Sequence, residues 1–100
     1  MKVLCIGNGS SIKDNRHIIE DDCYDLKIGT KFQFELWPDL KVVAVGDRKP
    51  AEILSEKFRG LILTKWDDHT NFYKPHHVDM DDITGTIQMK YAIEKGATEI

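Results

Sequence analysis

The stretch from residue 41 to residue 64 constrains the fold of this chain more than any other part of the sequence. Two short apolar runs, KVVAVG at 41–46 and LILT at 61–64, enclose a segment whose apolar residues recur at helical spacing. Asp47 can cap that helix and Gly60 can end it. Short, uniformly apolar runs are typical of strands that are buried on both faces. The stretch therefore predicts a parallel strand–helix–strand unit, with 41–46 as a central strand.

The N-terminal stretch KVLCIGNGSSIKD has the beginning of a similar unit. A short apolar run ends at a glycine turn, and the two serines that follow are good helix caps. Glycines let the backbone come close to a ligand, and a helix N-terminus presents unpaired amides and the positive end of its dipole. We therefore predict a phosphate-type anion site here. Its residues are Gly7, Asn8, Gly9, Ser10 and Ser11. Ile12 stands where the dinucleotide fingerprint needs a third glycine, so that type of NAD or FAD binding is not predicted.

A second small-residue helix start lies at Thr84, Gly85 and Thr86 and could face the same ligand. The alternative is that Thr84 is only a helix cap and Gly85 a packing residue. Gly96 ends this helix, and 97–100 begins what has the pattern of another strand. The predicted buried stripe of the helix comprises Ile83, Ile87, Met89, Tyr91, Ala92 and Ile93.

Residues 66–82 are polar and irregular and contain three of the four histidines. We interpret them as a long loop, mobile or partner-binding, that leaves the carboxyl end of a strand. His76 and His77 are candidate catalytic bases, because imidazole suits proton transfer near neutral pH. Their spacing matches no metal motif, so no metal site is predicted.

Together these elements predict a single domain over residues 1–100, of α/β class. It is a three-layer Rossmann-like fold with a mostly parallel sheet of four to five strands. Alternating apolar residues predict a strand at 24–28, whereas 31–37 could be a strand or a short helix.

The bulk composition excludes several function classes. A net charge of −3 without a basic run argues against binding long nucleic acid, although a free nucleotide is compatible with it. The two cysteines lack zinc-site spacing and are expected to be free thiols. No stretch has the pattern of a signal peptide or the length of a membrane span, so a cytoplasmic protein without membrane contact is expected. The sequence leaves the cofactor unknown.

The two glycine motifs carry a family resemblance over about thirty residues. GNGSSIKD after a strand resembles the GNGPS-type opening of sialyltransferase-like and MptE-like proteins. ITGTIQMKYAIEKGATEI resembles the Ser/Thr-Gly helix and the G-x-x-E-I that follow later in that family. The resemblance implies a nucleotide site at Asn8, Gly9, Ser10, Ser11, Thr84, Gly85 and Thr86. Ser10 replaces the usual proline, Ile83 replaces a small hydroxyl residue, and the family's downstream acidic residue and histidine would lie beyond Ile100.

The resemblance implies a nucleotide-binding, transferase-like domain of the glycosyl- or pyrophosphoryl-transfer class, with an incomplete catalytic end. On this interpretation the chain is the N-terminal part of a longer protein, such as a phage or environmental gene would encode. The alternative is a small non-catalytic α/β binding or structural module, which a virus could also encode. Val45-Gly46-Asp47 is similar to the Gly-Asp turn of thiamine pyrophosphokinase-like proteins, but Arg48-Lys49 departs from it. This alternative therefore ranks lower.

We also expect a homodimer. Four residues at 97–100 are too few to cover a neighbouring strand, so one edge of the sheet would stay open. A second copy is the obvious partner for such an edge, with contacts near residues 87–100.

Overall fold

The computed structural model of this protein describes residues 1–7 and 16–98. Strands and helices alternate along this part of the chain, except that β5 follows β4 without a helix between them. In order they are β1 (Val3–Cys5), α1 (Arg16–Ile19), β2 (Leu26–Thr30), a 3-10 helix (Gln33–Glu35), β3 (Val42–Ala44), α2 (Arg48–Lys57), β4 (Leu61–Leu63), β5 (Phe72–Tyr73) and α3 (Thr84–Glu94). The 3-10 helix decides the question that the sequence left open at 31–37.

The five strands form one sheet in the order β1-β2-β3-β4-β5, and every neighbouring pair is parallel. The predicted α/β class and parallel sheet are confirmed, and β3 is the central strand. Because each strand lies beside the next one along the chain, the strand order among these five does not reverse. The sheet therefore lacks the reversal point at which doubly wound folds usually form their ligand crevice.

The central strand is buried on both faces, as its uniformly apolar sequence predicts. Val42 and Ala44 belong to one core cluster, whereas Val43 and Val45 belong to the other. Successive side chains of a strand point to opposite faces, so a strand between two helical layers must be apolar at every position. All four side chains are buried.

Helix α2 covers one face of the sheet. Its Ala51 and Leu54, with Phe58 directly after the helix, are buried against that face. The sheet residues of this cluster are Val43, Val45, Ile62 and Phe72. Full burial of a side chain of the size of Leu54 contributes about 1.5 to 3 kcal/mol relative to its exposed state.

Helix α3 covers the opposite face through Ile87, Tyr91 and Ala92. The other buried residues of this cluster are Val3, Ile28, Val42, Ala44, Leu63 and Val78. With α2 on one face and α3 on the other, the three-layer arrangement is confirmed.

The predicted buried stripe of α3 is wrong in part. Ile83, Met89 and Ile93 are 71%, 50% and 63% exposed, whereas Gln88 is buried with only 3% exposed. Consecutive helix residues are turned by about 100°, so a face that carries residues 87, 88, 91 and 92 turns residues 89 and 93 away. The helix therefore has an inner face that contains a buried polar residue and an outer face that is apolar.

The interpretation of residues 66–82 as one irregular loop is also wrong in part. The segment contains β5, which pairs with β4, and Pro75 and Val78 are buried. Arg48 on α2 donates two hydrogen bonds to the carboxylate of Asp68, at 2.8 and 2.7 Å. A two-residue strand is too short to show an alternating pattern, and the segment is held by tertiary contacts that local sequence does not encode.

Gly60 gives a test of how tightly β3 and β4 are joined. A Cβ at this position would lie 2.2 Å from the carbonyl oxygen of Lys41, which accepts a hydrogen bond from Leu61, and 2.6 Å from the ring of Phe58. We expect Gly60→Ala to lower the free energy of unfolding by about 2 to 3 kcal/mol, because backbone must shift. Urea unfolding followed by circular dichroism measures the change.

Gly85→Ala is the matched control for this substitution. A Cβ on Gly85 would meet nothing within 4 Å, and alanine favours a helix over glycine by up to about 1 kcal/mol. We expect the control to be as stable as the unaltered protein or slightly more so. Equal stability of the two variants would contradict the close packing at Gly60.

Candidate anion-binding site

The described residues of the predicted glycine motifs lie at the carboxyl edge of the sheet. Gly7 follows β1, and Thr84, Gly85 and Thr86 form the first turn of α3, beside the end of β3. Asn8, Gly9, Ser10 and Ser11 fall outside the residues that the structure describes. The described part of the candidate site therefore consists of Gly7 and the start of α3.

A hydrogen bond to the end of β3 anchors the start of α3. The amide of Gly46 donates to Oγ1 of Thr84 at 3.1 Å. A Cβ on Gly46 would lie 3.2 Å from that oxygen and 3.4 Å from the amide nitrogen of Thr84, so a glycine permits this approach. The hydroxyl of Thr84 is thus an anchor to the sheet, whereas the sequence suggested a helix cap.

No side chain at the N-cap position satisfies the first amides of α3. Ile83 occupies this position and has no polar atom to offer. The carboxylate of the preceding Asp82 accepts hydrogen bonds from the amide of Asp79 and from Nζ of Lys90. The first-turn amides of an α-helix have no partner within the helix, so they are available to an anion here.

A buried glutamine joins α3 to the ends of two strands. Nε2 of Gln88 lies 3.1 Å from the carbonyl oxygen of Ile6, 3.0 Å from that of Ile28 and 3.1 Å from that of Gly29. It also lies 3.2 Å from Oγ1 of Thr30. Two amide hydrogens are shared among these four acceptors, so the contact fixes the position of the helix over β1 and β2.

Gln33 also forms hydrogen bonds at the carboxyl ends of β1 and β2. Its Oε1 accepts from the amide of Thr30 at 2.8 Å, and its Nε2 donates to the carbonyl oxygen of Gly7 at 2.8 Å. Thr30 in turn donates its hydroxyl hydrogen to the carbonyl oxygen of Ile6. Gly7, the first residue of the predicted anion loop, is therefore fixed in position.

A cation lies between the two motifs. Lys31 follows β2, the strand between β1 and β3, and its Nζ is 3.9 Å from Oδ2 of Asp47. Asp47 holds the N-cap position of α2 as predicted, but its side chain makes no capping hydrogen bond. Lys31 has φ = 49°, a left-handed conformation that costs a non-glycine residue on the order of 1 kcal/mol.

The candidate catalytic histidines lie elsewhere. The amide of His76 donates to Oε1 of Glu94 at 2.8 Å, and the carbonyl oxygen of His77 accepts from Nζ of Lys90 at 2.6 Å. The contact of His76 is with Glu94, about 15 Å along the helix from Thr84, and that of His77 is with Lys90, about 9 Å from Thr84. The structure does not bring the two histidines together with the first turn of α3.

Glu94 forms a separate polar cluster with its neighbours. Burial alone would raise the pKa of Glu94, but the hydrogen bonds from the hydroxyl of Tyr73 and the amide of His76 lower it below its ordinary value. The same bond to Glu94 raises the pKa of Tyr73. The carboxylate is thus held in its charged form as a hydrogen-bond acceptor.

A concavity of about 330 Å³ lies at the opposite, amino edge of the sheet and contains none of the predicted site residues. Its lining residues include Asp22, Tyr24, Asp25, Trp37, Asp39 and Lys41.

Within residues 1–7 and 16–98, no group of three or more His, Cys, Asp or Glu side chains could hold a metal ion. In the same part of the chain, no helix has the length and apolar character needed to cross a membrane.

Sequence reasoning missed Lys31, Gln33 and Gln88 as residues that shape this edge. Gln88 had a recognisable signal, because it lies on the same helical face as Tyr91 and Ala92 and is the polar member of that face. Lys31 and Gln33 had none, since their roles depend on a turn between β2 and the 3-10 helix.

No protein-family model, curated protein or solved structure matches this chain. The resemblance to sialyltransferase-like and MptE-like proteins therefore stays a prediction. Inferences about function therefore rest on the geometry of the site.

Replacing Gln88 tests its part in holding this edge. We expect Gln88→Met, which keeps the shape but removes both donors, to lower the free energy of unfolding by about 1 to 3 kcal/mol, because buried carbonyl groups lose a donor. Met89→Gln is the control, since Met89 is exposed on the same helix and should change stability by less than about 0.5 kcal/mol. Chemical unfolding of both variants decides, and a neutral Gln88→Met would show that water replaces the side chain.

The pH dependence of stability tests the segment that leads into α3. The hydrogen bond from Lys90, and then that from the amide of Asp79, lower the pKa of Asp82. A carboxyl group with a lowered pKa stabilises the fold above its unfolded pKa of about 3.9, and this contribution is lost as pH falls through the folded pKa. The free energy of unfolding is measured with urea at neutral pH and below about pH 4. We expect the decrease between these two conditions to be smaller for Asp82→Asn than for the unaltered protein.

Asp81→Asn is the control for this experiment, because Asp81 is the exposed neighbour of Asp82. It should keep the full acid dependence of the unaltered protein. The same acid dependence in Asp82→Asn would mean that the pair with Lys90 does not contribute.

Proposed function

We propose that this chain binds a phosphate-bearing small molecule, most simply a nucleotide, at the first turn of α3. The observation that carries this proposal is the uncapped start of that helix, which the Gly46–Thr84 hydrogen bond places at the carboxyl edge of the sheet. A helix of eleven residues has a full macrodipole, whose positive end attracts anions. Free amides and this dipole together form a phosphate site.

The surroundings of the first turn support the same ligand class. A Cβ on Gly85 would meet nothing within 4 Å, so no protein atom crowds the side of the helix at its first turn. Gly7 starts the second predicted phosphate loop at the same edge, and Lys31, the residue after β2, adds a cation there whose Nζ lies 3.9 Å from Oδ2 of Asp47. The nucleotide part of the proposal rests on the family resemblance, whereas the phosphate part rests on the geometry.

Binding without catalysis is the second candidate, and one observation favours it over a transferase. His76 and His77, the candidate bases for transfer from a nucleotide-activated sugar or pyrophosphate donor, lie beside Lys90 and Glu94 on the C-terminal half of α3. A catalytic base must be within hydrogen-bond reach of the reacting group, directly or through one water. Along the helix, a phosphate at the first turn would lie about 15 Å from the Glu94 contact of His76 and about 9 Å from the Lys90 contact of His77.

Ile83→Asp tests the proposal, because it places a capping carboxylate where the phosphate would bind. We expect two opposite effects: helix stability rises by about 1 kcal/mol, and phosphate affinity falls by about tenfold or more. Titrations with inorganic phosphate, CMP, CDP and cytidine, followed through the backbone amide shifts of residues 9–11 and 84–86, measure the affinity.

The control is Ile53→Asp, the same change on the exposed surface of α2, which should leave affinity unaltered. Binding of CMP and CDP but not of inorganic phosphate or cytidine would identify a nucleotide site. No shift with any of these ligands at millimolar concentration, or equal affinity in Ile83→Asp, would overturn the proposal. Release of free nucleotide from a nucleotide-activated sugar would decide for the transferase over binding alone.

A further inference from the structure

Helix α3 is apolar on two opposite faces. Its inner face packs on the sheet, while Met89 and Ile93 project from its outer face, and Ile83 lies beside them at the helix start. Helix α2 differs, since its exposed positions include Glu52 and Glu56. A helix that is apolar all round is normally buried all round, and the sheet covers α3 from one side only.

The charged side chains of α3 are already paired within the chain, so the outer face presents no unpaired charge. Nζ of Lys90 donates to Oδ2 of Asp82 and to the carbonyl oxygen of His77, each at 2.6 Å. The carboxylate of Glu94 accepts from Tyr73 and from the amide of His76. Both charged side chains of the helix thus bond to their own chain.

An uncharged apolar face restricts the kind of partner. Nucleic acid and anionic membranes bind through clustered cations, which this face lacks. Two copies of the chain carry the same net charge of −3 and repel each other unless they meet over a neutral surface. The outer face of α3 is such a surface, and it is chemically matched to itself.

We propose that a second copy of this chain covers the outer face of α3, and that the two helices pack antiparallel about a two-fold axis near Met89. Met89 lies at the middle of Thr84–Glu94, so the axis sets Ile93 of one copy opposite Gly85 and Thr86 of the other. The groove beside these two residues has a volume of about 520 Å³. It is lined by Leu4, Cys5, Ile83, Gly85, Thr86, Gln88 and Met89.

This arrangement gives a knob and a hole on each copy. Ile93 is the knob, and the hole lies over Thr86, beside Gly85, whose Cβ position has no neighbour within 4 Å. Because a two-fold axis repeats every contact, one such fit is made twice. The second copy covers the side of α3, whereas an anion approaches the first-turn amides along the helix axis, so the two can bind together.

The start of the β1 edge is a less suitable contact than the helix face. Val3 in the edge strand β1 is only 1% exposed, and the amide of Thr98 donates to the carbonyl oxygen of Met1 at 2.9 Å. The start of this edge is therefore covered within one chain. The expectation of contacts near residues 87–100 is retained, but they are made by a helix face and not by paired strands.

The size of the surface sets the strength of the dimer. The exposed parts of Ile83, Met89 and Ile93 amount to on the order of 400 Å² of apolar surface, the size of the largest patch on an ordinary monomer. A standard interface buries about 800 Å² on each partner, rim included. We therefore expect a weak dimer, with a Kd on the order of micromolar.

Sedimentation velocity of the whole chain, from about 1 µM to about 500 µM, tests the proposal. The unaltered protein should pass from monomer to dimer in this range, and Ile93→Asp should raise the Kd at least about tenfold. Ile53→Asp is the matched control, because it adds the same charge to an exposed isoleucine on α2 and should leave the dimer intact. Circular dichroism melts at low concentration confirm that each variant is folded.

Disulfide trapping is a second, independent test of the same interface. Met89→Cys, in a Cys23→Ser background, should form a covalent dimer on mild oxidation, because residues at a two-fold axis lie opposite their own copies. Cys5 lines the same groove, so the Cys23→Ser chain without Met89→Cys is the control. It should not cross-link, because burial raises the pKa of the Cys5 thiol and so slows its reaction. A monomer at every concentration, or a dimer that Ile93→Asp leaves unchanged, would overturn the proposal.

Discussion

The hydrogen bonds of the Gln88 carboxamide are the interaction on which the rest of this structure depends. They join α3 to the carboxyl ends of β1 and β2, at a place that is almost fully buried. Polar contacts in such a low-dielectric setting are strong when complete and costly when broken, so they specify one orientation of the helix. Turning Gln88 inward sets Met89 and Ile93 outward and brings the first turn of α3 to the end of β3. One buried polar side chain thereby decides both where an anion could bind and which face is left for a partner.

The strand order explains why the candidate site is built on a helix start. In doubly wound sheets the reversal of strand order opens a crevice, and ligands bind there. The five strands here follow one another without reversal, so the sheet alone offers no such crevice. The carboxyl edge is instead shaped by side chains that cross it, namely Gln33 to Gly7 and Thr84 to Gly46. A site of this kind needs only one well-placed helix and a glycine at the strand end that lets the helix approach.

The two ends of α3 offer different chemistry. At its start, free amides and the positive end of the helix dipole suit an anion that is bound and released. Towards its end, Glu94 is held as a charged acceptor by Tyr73 and by the amide of His76, and the bonds that hold it also fix the preceding segment against the helix. This second cluster serves to attach residues 73–77 to the helix. Glu94 therefore lies about 15 Å along the helix from the first turn.

The sequence by itself determined the α/β class, the parallel sheet and the positions of β1, β2, β3, α2, β4 and α3, because each has a local pattern of apolar residues and end signals. It also placed Thr84, Gly85 and Thr86 at a helix start. Tertiary structure alone decided the rest. The two-residue strand β5 forms because β4 offers it a free edge, and Thr84 is an anchor to β3 because Gly46 has no side chain. The inner face of α3 contains Gln88 because its carboxamide can donate to backbone carbonyl groups at the ends of β1 and β2, which are far from it along the chain.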